Sequence, residues 1–269
     1  MTTSDVRRCG VLGDPIAHSL SPVLHRAGYQ AVGLAWEYDA HRVPAGGLRE
    51  VLAGLDATWR GLSVTMPLKR EALELSSSVS ETARRAGAVN TLILDGDGVH
   101  GDNTDVPGAV AAMAGAGVEA VERAVILGGG ATATSVGLAL LDLGAVELAI
   151  QVRSPERAAE SVAALREAGA LVVVESLLDP VVGDVVVSTI PATAQDDALV
   201  ERTGAVPAIF DVIYHPWPTP LARAARQRGQ VLVGGLDLLV NQAALQFTMF
   251  TGLAAPLDAM RASGEAALG

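Results

Sequence analysis

Lysine is nearly absent from this chain: of 19 lysines and arginines, one is a lysine, Lys69. Arginine stays charged under all ordinary conditions, whereas lysine can release a proton and recover it. Lys69 is therefore either a proton carrier or the survivor of a drift toward arginine, and composition alone leaves both readings open. Cysteine is just as scarce. The single Cys9 excludes an internal disulfide and suits a reducing cytoplasm. Aromatic residues make up 3% of the chain, so the core must be aliphatic. No basic tract stands out in a chain of net charge -11, which argues against nucleic acid and anionic membranes as partners. Residues 1–8 hold no apolar segment ahead of a cleavage site, so no signal peptide is expected. The stretch closest to a membrane span, 124–150, is broken by Gly128, Gly129, Gly130, Asp142 and Gly144. It reads as strand, turn, helix and strand instead.

What is present is a large aliphatic content. Half of the 269 residues are hydrophobic, counted as 50%, and mean hydropathy is +0.36, enough for one large or two modest domains. The spacing predicts strands at 9–12, 36–42, 61–64 and 91–94. Helices are predicted at 22–32, 46–53, 68–75 and 80–85, the first opened by Ser21 as N-cap with Pro22 at the first helical position. Such alternation predicts a mostly parallel sheet with helices on both faces. From about Pro107 a second α/β unit begins. It is read as strand 123–127, helix 132–142, strand 146–152, helix 156–167 and strands 171–174, 184–188 and 208–212. Two helices, 236–250 and 256–267, close the chain.

The run Gly128-Gly129-Gly130-Ala131-Thr132-Ala133 lies between a predicted strand and helix and fits G-x-G-x-x-A. The first glycine makes the tight turn, the second admits a pyrophosphate, and a small third residue allows close helix–strand packing. The helix N-terminus offers unpaired N–H groups and a positive dipole end. No G-K-[ST] follows, which excludes the usual P-loop. After the next strand comes Arg153-Ser154-Pro155-Glu156-Arg157 rather than the acidic residue usual for NAD. Arg153 and Arg157, with the Ser154 hydroxyl, suit a 2′-phosphate and favour NADP. The alternative is that both arginines solvate a helix end.

Polar groups recur where strands end in the first part: Ser19 and Ser21, Ser63 and Thr65, Lys69, Asn90 and Thr91, and Asp102 through Asp105. Open α/β sheets bind ligands beyond the carboxyl ends of their strands. Hydroxyls, an amide, a carboxylate and one lysine suit a polyhydroxylated acid. Singly, each residue also reads as a cap or turn residue; jointly, capping does not explain them.

Several segments carry a resemblance in order along the chain. They are Gly13–Pro22, Ser63–Lys69, Gly87–Thr91, Gly101–Asp105, the glycine turn, Asp211–Tyr214 with Thr219–Leu221, and Leu238–Ala243. On these the chain resembles the shikimate dehydrogenase family over essentially its whole length. The resemblance implies a two-domain α/β fold: an open N-terminal substrate domain over 1–106, a Rossmann-like NADP-binding domain over 107–234, and C-terminal helices over 235–269 that return to the substrate domain. It implies Lys69 and Asp105 as the catalytic pair. Ser19 and Ser21 would bind the substrate carboxylate, Thr65, Asn90 and Gln242 the ring hydroxyls, and Tyr214 would lie near the carboxylate. Gly128, Gly129, Gly130, Ala131, Thr132 and Ala133 would hold the pyrophosphate, Arg153, Ser154 and Arg157 the 2′-phosphate, and Gly235 would lie near the nicotinamide.

The implied reaction is reversible, NADP-dependent reduction of 3-dehydroshikimate to shikimate by a cytoplasmic monomer or homodimer, with no metal. Val152 stands where the family usually has asparagine, which removes one amide contact to the adenosine end. Two rivals are a quinate/shikimate dehydrogenase using NAD and a non-catalytic nucleotide-sensing relative. The two arginines and Ser21 argue against the first, and retention of Lys69 with Asp105 against the second. No G-x-S-x-G appears, and the five histidines are scattered, which argues against a serine hydrolase and a metal enzyme.

Overall fold

A computed structural model of the chain describes residues 6–96 and 98–269. Two compact units emerge: the described residues through Thr104 together with Val240–Gly269, and Asp105–Leu239.

The first unit runs β1 (Arg8–Gly13), α1 (Ser21–Ala31), β2 (Glu37–Arg42), α2 (Leu48–Ala53), β3 (Trp59–Val64), α3 (Lys69–Leu75), β4 (Ser78–Val79), α4 (Glu81–Ala86), β5 (Thr91–Leu94) and β6 (Val99–Asp102). The sheet order is β2-β1-β3-β5-β6-β4. Strands β1, β2 and β3 are parallel, joined by helical crossovers, whereas β5 is antiparallel to both β3 and β6. The sheet is therefore mostly parallel, as expected, with β5 alone running against the other five strands. The residues between β5 and β6 are too few for a crossover and permit only a reversal, with Gly96 at φ +92°. Helix α4 is framed by its own caps: Ser80 Oγ accepts from Ala83 N at 3.0 Å, and Gly87 ends it in the left-handed region. Helix α1 differs from expectation. Ser21 lies inside it, Leu20 holds the N-cap position, and no side chain caps it.

The second unit runs α5 (Asp105–Gly115), β7 (Arg123–Leu127), α6 (Ala131–Asp142), β8 (Glu147–Val152), α7 (Ala159–Glu167), β9 (Leu171–Ser176), β10 (Val185–Ser188), α8 (Asp197–Arg202), β11 (Ala208–Asp211), α9 (Pro220–Arg228) and β12 (Val231–Gly234). Its six strands are parallel throughout, in the order β12-β11-β10-β7-β8-β9. That is a doubly wound Rossmann-like sheet, with the order reversing between β7 and β10. Every residue of β10 is buried, which is why it reads as three valines closed by a buried Ser188. The helix expected from residue 156 begins with a 3-10 turn, Pro155–Ala158, and becomes α-helical only at Ala159. Helices α8 and α9 start on side-chain caps, Asp196 accepting from Leu199 N and Thr219 from Ala222 N.

Helix α10 (Gly235–Thr251) starts at the end of β12, and α11 (Leu257–Leu268) packs against α1. The few aromatic side chains are concentrated in the first unit: Tyr29, Tyr38 and Phe247 are among its largest fully buried residues. Gly61 is required where β3 passes Phe250, since a Cβ there would lie 2.2 Å from the ring.

Candidate active site

In the first unit the polar side chains cluster where β1 and β3 end side by side. Thr65 N donates to Leu12 O at 2.9 Å, locking the turn after β3 onto β1. Gly13 must be glycine because a Cβ would lie 2.4 Å from Thr65 Cγ2. Lys69 is the first residue of α3, and its carbonyl accepts from Val89 N at 3.0 Å. Ser19 Oγ accepts from Ser21 N at 3.3 Å. Ser21 itself is buried, its hydroxyl against the Tyr38 phenol.

The Gly101–Asp105 segment is built around Asp102. Its carboxylate accepts from Ser80 Oγ at 2.5 Å and from Asn103 N at 2.7 Å. Asn103 Nδ2 donates to Ala88 O at 2.9 Å, which ties this segment to the residues before β5. Asn90 is buried between them. Its Oδ1 accepts from Thr104 N at 2.8 Å and from Thr91 Oγ1 at 2.7 Å, and its Nδ2 donates to Thr104 Oγ1 at 3.0 Å. Thr104 Oγ1 in turn lies 3.4 Å from Gln242 Oε1 on α10. Asn90 and Gln242, more than a hundred residues apart in the chain, thus share Thr104.

In the second unit Asp105 is the first residue of α5 and is buried. The turn after β7 carries the glycine motif. Gly128 sits at φ +109°, and a Cβ on it would lie 2.3 Å from Thr189 Oγ1. Gly129 packs on Ala158, Gly130 faces open space, and Ala133 is fully buried. Helix α6 has no side-chain cap, so its first N–H groups are offered to whatever lies in front of Gly130. Ala131 and Thr132 are the first two residues of that helix. This arrangement fits a pyrophosphate.

Beyond β8, Arg153 and Arg157 are both exposed, and Arg157 N donates to Ser154 O at 3.1 Å within the 3-10 turn. The two arginines do not flank an α-helical start as expected. Ser154 Oγ donates to Glu156 Oε2 at 2.6 Å, and this bond holds the Glu156 carboxyl below the usual carboxylate range. The segment carrying Tyr214 is anchored by Asp211, which accepts from Gln195 Nε2 at 2.9 Å, Thr219 Oγ1 at 2.6 Å and Ile213 N at 3.2 Å. Burial raises the Asp211 pKa in spite of these donors, and burial also raises that of Tyr214. Gly235 opens α10 against this segment, where a Cβ would lie 2.4 Å from Val212 O. Among the described residues no group of His, Cys, Asp and Glu is arranged to hold a metal ion, and no helix is long and apolar enough to cross a membrane.

Comparison with known proteins matches residues 11–92 to the shikimate dehydrogenase substrate-binding domain and 235–263 to the shikimate 5′-dehydrogenase C-terminal domain. The shikimate dehydrogenase (NADP(+)) of Synechocystis sp. is 35% identical, over 96% of this chain and 95% of its own. The chain belongs to the shikimate dehydrogenase family. The crystal structure of Mycobacterium tuberculosis shikimate dehydrogenase superposes with a TM-score of 0.89 at 37% identity, covering 97% of this chain and 99% of that one. Shikimate 5-dehydrogenase from Thermus thermophilus, in complex with NADP(H) and shikimate, superposes with a TM-score of 0.88 at 30% identity, covering 98% and 100%.

Within this shikimate dehydrogenase family member, the substrate-binding-domain match takes in Ser19, Ser21, Thr65, Lys69 and Asn90, and the C-terminal match takes in Gly235 and Gln242. Two participants were not singled out in the sequence. Tyr38 on β2 contacts Ser21, and Gln246 on α10 contacts the Asn90 carbonyl. Gln246 carried a usable signal, since it lies four residues after Gln242 and so on the same helix face. Tyr38 carried none, sitting in a strand where one aromatic reads as core.

Proposed function

We propose that this protein catalyses the reversible, NADP-dependent reduction of 3-dehydroshikimate to shikimate, with Lys69 and Asp105 as its catalytic pair. The observation that carries the reading is the position of the only lysine. It opens α3 directly after the turn that follows β3, within the segment matched to the family's substrate-binding domain.

NADP, when bound, supplies a hydride at its nicotinamide ring or accepts one there. Gly128–Ala133 would hold its pyrophosphate at the uncapped start of α6, Arg153 and Arg157 would meet its 2′-phosphate, and Gly235 would lie near the nicotinamide. The Lys69 ammonium stabilises the negative charge that grows on the keto oxygen and gives that oxygen its proton. Asp105 accepts from a ring hydroxyl. Ser19 and Ser21 donate to the carboxylate, assisted by Tyr214, and Thr65, Asn90 and Gln242 hold the ring hydroxyls. In this reading residues 1–106 and 235–269 serve the substrate and 107–234 the cofactor. The enzyme works in the cytoplasm as a monomer or homodimer, without nucleic acid or membrane as partner.

One observation favours a looser cofactor choice. The Ser154 hydroxyl, expected at the 2′-phosphate, is given to Glu156, a carboxylate that repels phosphate. Some turnover with NAD belongs to the same reading. The test is formation of reduced cofactor when purified protein meets shikimate or quinate with NADP or NAD. Fast reduction of NADP by shikimate supports the proposal; preference for quinate with NAD, or no turnover by folded protein, overturns it.

A further inference from the structure

Beneath Ser21 and Asn90 runs a chain of buried hydrogen bonds that neither the sequence motifs nor the reaction accounts for. Tyr38 Oη donates to Ser63 Oγ at 2.5 Å, and Ser63 Oγ donates to Gln246 Oε1 at 2.7 Å. Gln246 Nε2 donates to Thr91 Oγ1 at 3.0 Å and to the Asn90 carbonyl at 3.2 Å. Thr91 Oγ1 donates to Asn90 Oδ1 at 2.7 Å, and Asn90 Nδ2 donates to Thr104 Oγ1 at 3.0 Å. Every member is buried, and all lie in the first unit on β2, β3, β5, α10 and the segment before α5.

The chain has one direction, and two backbone groups enforce it: the Asn90 main-chain carbonyl accepts from Gln246 Nε2, and Thr104 N donates to Asn90 Oδ1. A hydroxyl has a single proton to give. Ser63, receiving from Tyr38, gives its proton to Gln246 Oε1, while the Gln246 nitrogen faces Thr91. Thr91, receiving there, gives its proton to Asn90 Oδ1. Asn90 Oδ1 is thereby committed inward, to Thr91 and to Thr104 N. Turning Gln246 would set its Oε1 against the Asn90 main-chain carbonyl, acceptor against acceptor, and turning Asn90 would set its Nδ2 against Thr104 N, donor against donor. Such fully satisfied buried networks select one arrangement because a half-satisfied one is costly.

Tyr38 stands at the head of this chain and touches the other half of the site as well, since its phenol lies against the Ser21 hydroxyl. Its ring is clamped: His25 stacks on it with centroids 4.1 Å apart and planes 7° from parallel. We propose that Tyr38 is a positioning residue for shikimate: through Ser63, Gln246 and Thr91 it braces the Asn90 amide beside the ring hydroxyls, and its contact with the Ser21 hydroxyl fixes where that side chain stands. The proposal rests on the reading of Ser21 and Asn90 as substrate-binding.

The experiment compares Tyr38→Phe, Thr91→Val and Thr91→Ser with the wild type. Each is measured for kcat, for KM toward shikimate and toward NADP, and for the side-chain amide resonances of Asn90. Tyr38→Phe and Thr91→Val should raise the KM for shikimate about tenfold, the equivalent of roughly one lost hydrogen bond, with the KM for NADP unchanged. Thr91→Ser, which keeps the hydroxyl, should restore the wild-type value. The Asn90 amide resonances should move in Tyr38→Phe although the two side chains share no bond. Lower thermal stability with an unchanged KM for shikimate would overturn the proposal and leave the network as structural support. Should Tyr38→Phe fail to fold, the contrast between Thr91→Val and Thr91→Ser decides by the same criterion. A wild type that leaves shikimate untouched overturns the functional reading, and the relay is then judged by the Asn90 resonances alone: unmoved, they overturn it.

Discussion

His25 lies face to face with Tyr38, fully buried, and burial pushes its pKa down to about 3 from an ordinary 6.5. The folded protein therefore keeps His25 neutral where the unfolded chain would protonate it. This contribution to stability is complete above pH 6.5 and is lost as pH falls from there toward 3. By pH 4.5 the loss from this one residue is about 3 kcal/mol. Its ring neighbours Tyr29 and Tyr38 stay neutral throughout that range, their pKa values being raised by burial. His25→Phe should flatten the acid limb of stability measured by urea unfolding between pH 7.5 and 4.5, whatever it does to stability at neutral pH; a limb as steep as the wild type's would show that other groups drive acid unfolding.

Asp211 concentrates three donors from three places in the chain: Gln195, Thr219 and Ile213. Asp211→Asn turns a pure acceptor into a group with an N–H facing one of them, and should cost about 1–3 kcal/mol of stability. Thr219→Val removes one donor together with the cap of α9 and should cost about 1–2 kcal/mol. Both variants loosen the segment that carries Tyr214, so each should also weaken shikimate binding. Calorimetry and steady-state kinetics read the two effects, and full stability in Asp211→Asn would contradict the anchoring role.

Cys9 is buried, and burial pushes its thiol up to about 11. A thiol reagent at pH 8 should leave the native protein unlabelled and modify one equivalent after unfolding in urea. Rapid labelling of native protein would show that β1 opens readily.

The Ser154–Glu156 bond makes a prediction about cofactor choice. Glu156→Gln should lower the KM for NADP roughly threefold at low salt, less at high salt, and leave the KM for NAD alone. Arg153→Ala and Arg157→Ala should each raise the KM for NADP, again without effect on NAD. Equal changes for both cofactors would mean that this turn does not face the 2′-phosphate.

The Rossmann-like sheet was legible because its signals are local. An apolar strand, three glycines and a helix follow one another within 123–142, and β10 opens on three valines. Short polar-capped elements were less visible. The short helix α8 buries only Leu199 and hangs on its cap Asp196, and the turn Pro155–Ala158 looks helical in sequence but bonds as a 3-10 segment. The β5–β6 reversal was marked by Gly96 and Gly98, a turn signal outweighed by the expectation of strand–helix alternation. The individual site residues were legible through motifs, but their wiring was not. Ser63 and Gln246 are 183 positions apart, and no local pattern announces that their side chains meet. Ser21 was read as a cap because serine before proline so often is one. Its burial against Tyr38 depends on β2, an element beyond the motif.

Whether Lys69 handles the proton in shikimate oxidation is decided by comparing kcat for wild type and Lys69→Arg with shikimate and NADP. Arginine keeps the charge but cannot readily exchange a proton. Lys69→Arg should lower kcat by at least about a hundredfold, with the KM for shikimate changed far less. Turnover close to that of the wild type would contradict that role for Lys69.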